Sequence, residues 1–311
     1  MKKVLSIIVS VVLVLAIGTG CRERGTKARV VVPDGAPSMA IAQMMKNEKS
    51  YKYRIVSSTD ITSTFTKGNA EFIIAPTNMG MELSILSGNY KIAAITSWGN
   101  LYLVTNNDNF NPLSYYTDYN EFLAQFDNKT VATIGSNQVP DVSFKHLVEG
   151  KNIQIAESYA QVIQANLGNG TCELAILGEP AATATTLNVV GTKILCSISD
   201  LWQQKKGTEF PQASLFVKSS LSQEKVDEFL SKLEYSINYL NESEENAFEL
   251  GKFMEDSGLS TLKGAIVKKS YLRMNQKFVL AKDKKQDIIS FIGVLGVYYN
   301  GSSNVFYGEN I

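Results

Sequence analysis

The sequence predicts an α/β protein of two domains, each a mostly parallel sheet flanked by helices. Three observations carry that prediction. From residue 28 onward, short apolar runs of buried-strand type alternate with segments of helical periodicity. Turn formers (Gly, Pro, Asn) stand between many of these runs. The alternation then breaks at a polar, Tyr-rich stretch over residues 106–120 and starts again beyond it. Hydrophobic content of 44% and charged content of 19% describe a globular chain. Residues 21–311 suffice for two domains of ordinary size or one large one.

The chain opens on Met1-Lys2-Lys3, then an apolar run from Val4 to Ile17, then Gly18-Thr19-Gly20-Cys21. A basic start, a short apolar run and a small-residue end make a secretory signal peptide over residues 1–20. The run falls short of the about 20 apolar residues a spanning helix needs. The residues before Cys21 resemble a bacterial lipobox, although Gly18 stands where a bulky apolar residue is usual. That resemblance implies cleavage before Cys21, lipidation of its sulfur (palmitate or a similar acyl chain), and a membrane-anchored body outside the cytoplasm. Ordinary secretion with a coincidental cysteine and an uncleaved anchor are the alternatives. Residues 21–27 read as a polar tether.

Ala28 to Val32 reads as a buried strand, Pro33-Asp34-Gly35-Ala36-Pro37 as a turn, and Ser38 to Met45 as one apolar helix. Strands follow at Tyr53–Val56, Glu71–Ala75, Tyr90–Thr96 and Leu101–Thr105, with helices at Ile61–Phe65 and Met79–Leu86. The crossing to the second domain is expected at residues 106–120. There, strands are expected at Lys129–Ile134, Ile153–Ala156, Glu173–Leu177 and Lys193–Ser199. A helix starts near Pro140, since Pro suits the first helical turn. Another, Tyr159–Leu167, is closed by Gly168. Ala213–Val217 reads as a strand returning to the first domain. Helices are expected over Gln223–Asn241, Glu244–Ser257, Leu262–Lys268 and Asp283–Tyr299. The first lobe is thus residues 28–105 plus 215–311 and the second 106–214, with hinges at 104–110 and 211–216.

Lys plus Arg and Asp plus Glu number 30 each, so the formal net charge is zero. Nucleic-acid binding, which needs a basic footprint, is disfavoured. Besides Cys21 there are only Cys172 and Cys196, at no zinc-motif spacing. Two buried free thiols are expected, although an oxidising exterior permits a disulfide. His146 is the single histidine. It is too isolated for a triad or a His-based metal site, and reads as a helix residue near the surface. No metal and no cofactor are expected.

In open α/β sheets ligands bind beyond the carboxyl ends of strands. Here those ends are Pro33–Pro37, Thr59-Asp60, Pro76–Asn78, Gly135–Gln138 and Gly178–Pro180. Several lead straight into helices, whose N-termini suit anionic or electron-rich ligands. Four of the motifs, Pro33-Asp34-Gly35-Ala36-Pro37-Ser38-Met39-Ala40, Phe72 to Asn78, Thr130 to Gly135 and Leu177-Gly178-Glu179-Pro180-Ala181, resemble the nitrate, taurine, sulfonate and thiamine-precursor group of ABC-transporter substrate-binding proteins. Tyr271-Leu272-Arg273-Met274-Asn275 resembles a late Arg-x-Asn segment of that group, with Leu272 where proline is common. The resemblance covers almost all of the chain after the leader. It implies a two-lobed periplasmic-binding-protein fold of the second type. It also implies a monomer that captures a small molecule between its lobes and docks on ABC permease subunits.

Each candidate contact has a plainer role beside it. Ser38 either contacts ligand or only starts its helix. Asp60, Thr77 and Asn78 follow strand ends, and Asn78 either contacts ligand or makes a turn. Trp98 either stacks on a planar solute or packs the hinge; Asn100 stands two residues on. Ser136 and Asn137 precede a helix and have hydrogen bonds to offer. Glu179 either pairs with a ligand amino group or accepts N–H bonds at its own helix start. Arg273 either clamps a ligand anion or ties the last helices to the first lobe. The mostly neutral set suits a heterocycle or a small organic anion. A surface lipoprotein that binds a macromolecule through Tyr115-Tyr116-Thr117-Asp118-Tyr119 is the competing reading. An enzyme is disfavoured. Enzymes of this fold that consume a histidine carry a cysteine-rich segment with no counterpart here. Those of menaquinone synthesis are cytoplasmic, against the export signal.

Overall fold

In a computed structural model, residues 27–309 are described, except 137, 159 and 302. The signal peptide and Cys21 lie outside these residues. Two sheets form the body. The first has six strands in the order β11-β4-β10-β3-β1-β2: β1 Arg29–Pro33, β2 Lys52–Val56, β3 Phe72–Pro76, β4 Tyr90–Trp98, β10 Pro211–Lys218 and β11 Gln276–Leu280. β1 pairs in parallel with β2 and β3, whereas β10 runs antiparallel to β3 and β4, and β11 to β4. β1 to β4 therefore share one direction. The second sheet is ordered β7-β6-β8-β5-β9: β5 Leu101–Thr105, β6 Thr130–Ile134, β7 Gln154–Ser158, β8 Leu174–Gly178 and β9 Lys193–Ser197. Only β5 opposes the other strands.

Helices cover both faces of the first sheet, which is why its inner strands β1, β3, β4 and β10 are apolar on both sides. One face packs under α2 (Ala42–Asn47), α10 (Gln223–Glu242), α11 (Glu244–Asp256) and α12 (Gly264–Ser270), with Phe72 stacked on Phe229 at 3.8 Å. The other packs under α3 (Ile61–Lys67), α4 (Thr77–Ser87) and α13 (Lys285–Val294). On that face α4 lies so close to β10 that a Cβ on Gly80 would fall 2.1 Å from the Phe216 ring. The second sheet carries α5 (Tyr119–Ala124), α6 (Val139–Leu147), α7 (Ala160–Asn169), α8 (Ala181–Asn188) and α9 (Ile198–Lys206). Asp118 caps α5, accepting from the N–H groups of Asn120 and Glu121, and Ser197 caps α9 likewise. A single apolar cluster runs from the first sheet through the hinge into the second, from Ile95 through Phe210 to Ile176.

Several expectations are corrected. Leu101–Thr105 belongs to the second sheet, between β8 and β9, so the outward crossing is Gly99-Asn100 and not residues 106–120. The return crossing lies between Lys206 and Pro211. The second lobe therefore begins near residue 100, and the hinges precede the segments 104–110 and 211–216. The polar stretch after 105 is a surface connection on the second lobe, where Tyr116 and Tyr119 pack on the core. The helix expected over Ser38–Met45 is two short pieces, α1 (Ala36–Met39) and α2. α7 ends at Asn169, where left-handed Gly170 (φ 77°) follows it. α13 stops at Val294, two residues before Gly296 (φ 81°). Strand β11 and helices α5, α8 and α9 were not expected.

Candidate functional site

The two crossings lie side by side. Gly99 N–H donates to Phe210 O at 2.7 Å, and Asn100 N–H donates to Gln212 Oε1 at 2.8 Å. Gly99 is needed for this approach, because a Cβ there would sit 2.7 Å from Ser199 Cβ and 2.8 Å from the Phe210 ring. Trp98 is buried at the hinge, its indole N–H donating to Lys277 O at 3.1 Å. Lys277 and Lys284 lie over its ring at 5.5 and 5.9 Å, and Glu209 pairs with both lysines. The packing role foreseen for Trp98 is thus occupied in this structure.

Beside the hinge the lobes are joined by a polar clasp. β8 of the second sheet ends at Gly178, and Glu179 follows, its N–H donating to Asn100 O at 2.9 Å. The Glu179 side chain is fully buried. Its carboxylate accepts from Thr183 N–H at 3.0 Å, Thr183 Oγ1 at 2.7 Å and Arg273 Nε at 2.6 Å. Arg273 comes from the first lobe, just past α12. Its Nη2 also donates to Thr183 Oγ1 at 2.6 Å and to Lys269 O at 3.1 Å. The Tyr102 phenol donates to Arg273 O at 2.9 Å, and burial first, then the Glu179 charge, raises its pKa. A buried carboxylate needs such a set of donors, since desolvation otherwise outweighs its attraction to one cation. The plainer role foreseen for Glu179, at its own helix start, is seen; Arg273 ties the first lobe to the second, not the last helices to the first lobe.

The other candidates scatter around this junction. Ser38 is buried, donating to Gly35 O at 2.8 Å. The Thr77 and Ser214 hydroxyls share a hydrogen bond of 2.7 Å on the floor of the first lobe. Asn78 stands in the first turn of α4 with Oδ1 buried and unpartnered. Asn100 is buried at the hinge. Asp60 is exposed and accepts from Ser57 Oγ at 2.9 Å. Ser136 is exposed and bonds the Glu157 carboxylate, helping Lys145 hold that group below its ordinary pKa. Asn137 lies outside the described residues. Thr183, Gln212 and Gln276 belong to the junction and were not foreseen. Their polar side chains sit in segments without motif or periodicity, so nothing local marked them.

Cys172 and Cys196 are free thiols. Cys196 is buried but Cys172 only partly so, its thiol donating to Leu174 O at 3.0 Å; burial raises both pKa values. His146 ends α6 against Trp202, ring centroids 5.7 Å apart, and burial followed by the charges of Lys205 and Lys206 lowers its pKa. Among the described residues no group of acids, cysteines and histidine is arranged for a metal ion. No helix among them is long and apolar enough to cross a membrane.

No protein-family model matches the chain, and no curated protein matches it. Solved structures do. An ABC transporter structure from Parabacteroides distasonis is similar with a TM-score of 0.70 and 19% identity, over 88% of this chain and 93% of that one. The periplasmic aliphatic sulphonate binding protein SsuA from Escherichia coli is similar with a TM-score of 0.61 and 13% identity, over 86% of each chain. A putative nitrate transport protein from Thermoplasma volcanium follows with 0.54 and 13%, over 88% and 95%. At these identities the likeness establishes the fold. The chain has the two-lobed periplasmic-binding-protein architecture, two α/β lobes joined at a double crossing.

Proposed function

We propose that this chain is an extracytoplasmic solute-binding lipoprotein of the nitrate/sulfonate/thiamine-precursor type, anchored through Cys21. It captures a small molecule between its lobes and delivers it to an ABC importer. The observation that carries the reading is the clasp of Glu179, Thr183 and Arg273, which joins the two lobes at a strand end of a fold shared with transport proteins. Hinge closure of two domains around a ligand is a recurring transition, and this contact spans the two lobes beside their crossings. The leader and the lipobox-like residues support an anchor outside the cytoplasm. Asn78 and Asn100 are the proposed neutral solute contacts. The surface-adhesion reading loses support, since Tyr116 and Tyr119 are packed inward and Tyr115 alone of the three is strongly exposed.

The test is thermal unfolding of residues 22–311, which hold every described element, against heterocycles, sulfonates, nitrate and amino acids. A ligand at 100 times its Kd stabilises by about 2.7 kcal/mol. A selective shift with one class supports the receptor reading. An unmoved transition across the panel, in folded protein free of carried-over ligand, counts against it.

A further inference from the structure

The hinge and the clasp lie at the carboxyl end of β4. The opposite end of the first sheet holds a separate cavity of about 610 Å³. It sits beneath the first turns of α10, where β4 starts and β10 ends. Lys91 near the start of β4 pairs with Val217, and Lys218 closes β10 opposite Tyr90. β4 is nine residues long, so about 23 Å of strand separates this cavity from the hinge. Ser219, Gln223 and Lys282 on its rim are exposed, so it opens to solvent.

The floor is apolar. Ala93, Val217, Val226 and Leu230 are buried there, and Leu221 and Leu280 are partly so. The rim is cationic. Lys91, Lys218 and Lys282 share it with two carboxylates, and both of those are answered. Asp227 accepts from the Tyr307 phenol at 3.0 Å, and Glu309 pairs with Lys285 at 2.7 Å. Lys218 donates to Gly68 O at 2.7 Å. The Lys91 and Lys282 side chains have neither hydrogen bond nor ion pair among the described residues. The start of α10, where no side chain caps the free N–H groups, adds partial positive charge. An apolar floor under two uncommitted ammonium groups suits an amphiphilic anion.

The position of the tether names its source. Lys218 N–H donates to Glu71 O, and Glu71 N–H donates to Arg29 O, at the start of β1. The cavity and the start of β1 therefore share one edge of the sheet. Three strand spacings, about 14 Å, separate β1 from β4. Cys21 stands six residues before Lys27, a reach of at most about 20 Å. A lipid on Cys21 would hold this edge against the bilayer.

The inference rests on the lipoprotein reading above. We infer that this cavity takes an anionic phospholipid of the anchoring membrane, its phosphate on Lys91 and Lys282 and its acyl carbons on the apolar floor. The first lobe then rests base-down on the bilayer, and the cleft faces away from it.

The test is native mass spectrometry of the full-length protein, purified in a neutral detergent. The probes are dioctanoyl phosphatidylglycerol, dioctanoyl phosphatidylcholine, whose choline cancels the phosphate charge, and glycerol 3-phosphate, which lacks the chains. One phosphatidylglycerol is expected to bind, with phosphatidylcholine about thirtyfold weaker, as two lysines on one anion give. Lys91→Gln combined with Lys282→Gln is expected to remove that preference and, since neither side chain has a partner to lose, to leave the melting temperature unchanged. Equal binding of the two lipids, or a preference that survives the double variant, would overturn the inference. Glycerol 3-phosphate binding as tightly as phosphatidylglycerol would make this a site for a free anion and overturn the lipid assignment. The same spectra weigh the chain. A mass without acyl chains on Cys21 would count against the anchor, so failure of the anchor and failure of the cavity are read apart.

Discussion

The two lobes meet on two flanks of one hinge, and the flanks are built differently. On one, Trp202 of α9, Phe210 of the return crossing and Phe291 of α13 pack edge to face, with centroids 4.6 to 5.7 Å apart. All three are fully buried. On the other, Glu179 and Thr183 hold Arg273 by charge-assisted bonds, and the Arg273 side chain is 41% exposed. Apolar contact has no orientation to lose when packing shifts slightly, and it keeps water out. The polar clasp is short and directional, and water has a path to one partner. On the proposed receptor reading, the aromatic flank is the fulcrum and the polar one the catch.

Four measurements would break or sharpen this contrast. Phe291→Ala is expected to cost about 3–5 kcal/mol, the range for a buried phenylalanine. A loss below about 1 kcal/mol in urea unfolding would deny the fulcrum. Gly99→Ala forces a Cβ into Ser199 and Phe210. It is expected to cost about 1–3 kcal/mol, as overpacking does, and to disturb both flanks; a wild-type melt would show the crossings are looser than described. Arg273→Ala leaves the buried Glu179 carboxylate with its Thr183 donors, so a similar or smaller loss of about 1–2 kcal/mol is expected. Here the deciding readout is shape. Small-angle scattering should show a more open particle for Arg273→Ala, and an unchanged radius of gyration would remove the catch. The smallest effect concerns pH on the aromatic flank. The folded pKa of His146 lies below the ordinary 6.5, chiefly through burial. Below that pH the unfolded chain takes up a proton the folded one resists, so stability is full above about 6.5 and falls as pH drops toward the folded pKa. His146→Phe should flatten that part of the profile; an identical slope in both proteins would mean other groups set it.

Much of the architecture was legible, for physical reasons. Phe72–Ala75 and Leu215–Val217 are buried on both faces, so their strands are unbroken apolar runs. The misplaced crossing has the same cause. Leu101–Thr105 is as buried as β4, and a run of that kind does not say which sheet buries it. β11 was missed because Gln276-Lys277-Phe278 has neither an apolar run nor clean alternation, its burial coming from β4 beside it. α8 escaped because its alanines and threonines give almost no amphipathic contrast. At the site, Glu179 and Arg273 stood out as charged residues in motifs. Their union did not, because 94 positions separate them and only the closing of two sheets brings them together.

The place of β10 has a consequence for how the chain is made. β3 and β4 do not touch in the sheet order; β10 lies between them. That strand is residues 211–218, beyond the whole second lobe. The first hundred residues to emerge therefore carry four strands of a sheet whose middle is missing. The second sheet is complete by Ser197, from one continuous stretch of chain. Local contacts form before distant ones, so the later lobe is expected to fold first. The earlier one lacks its central strand until residue 218 arrives, and its closure lags behind that of the later lobe.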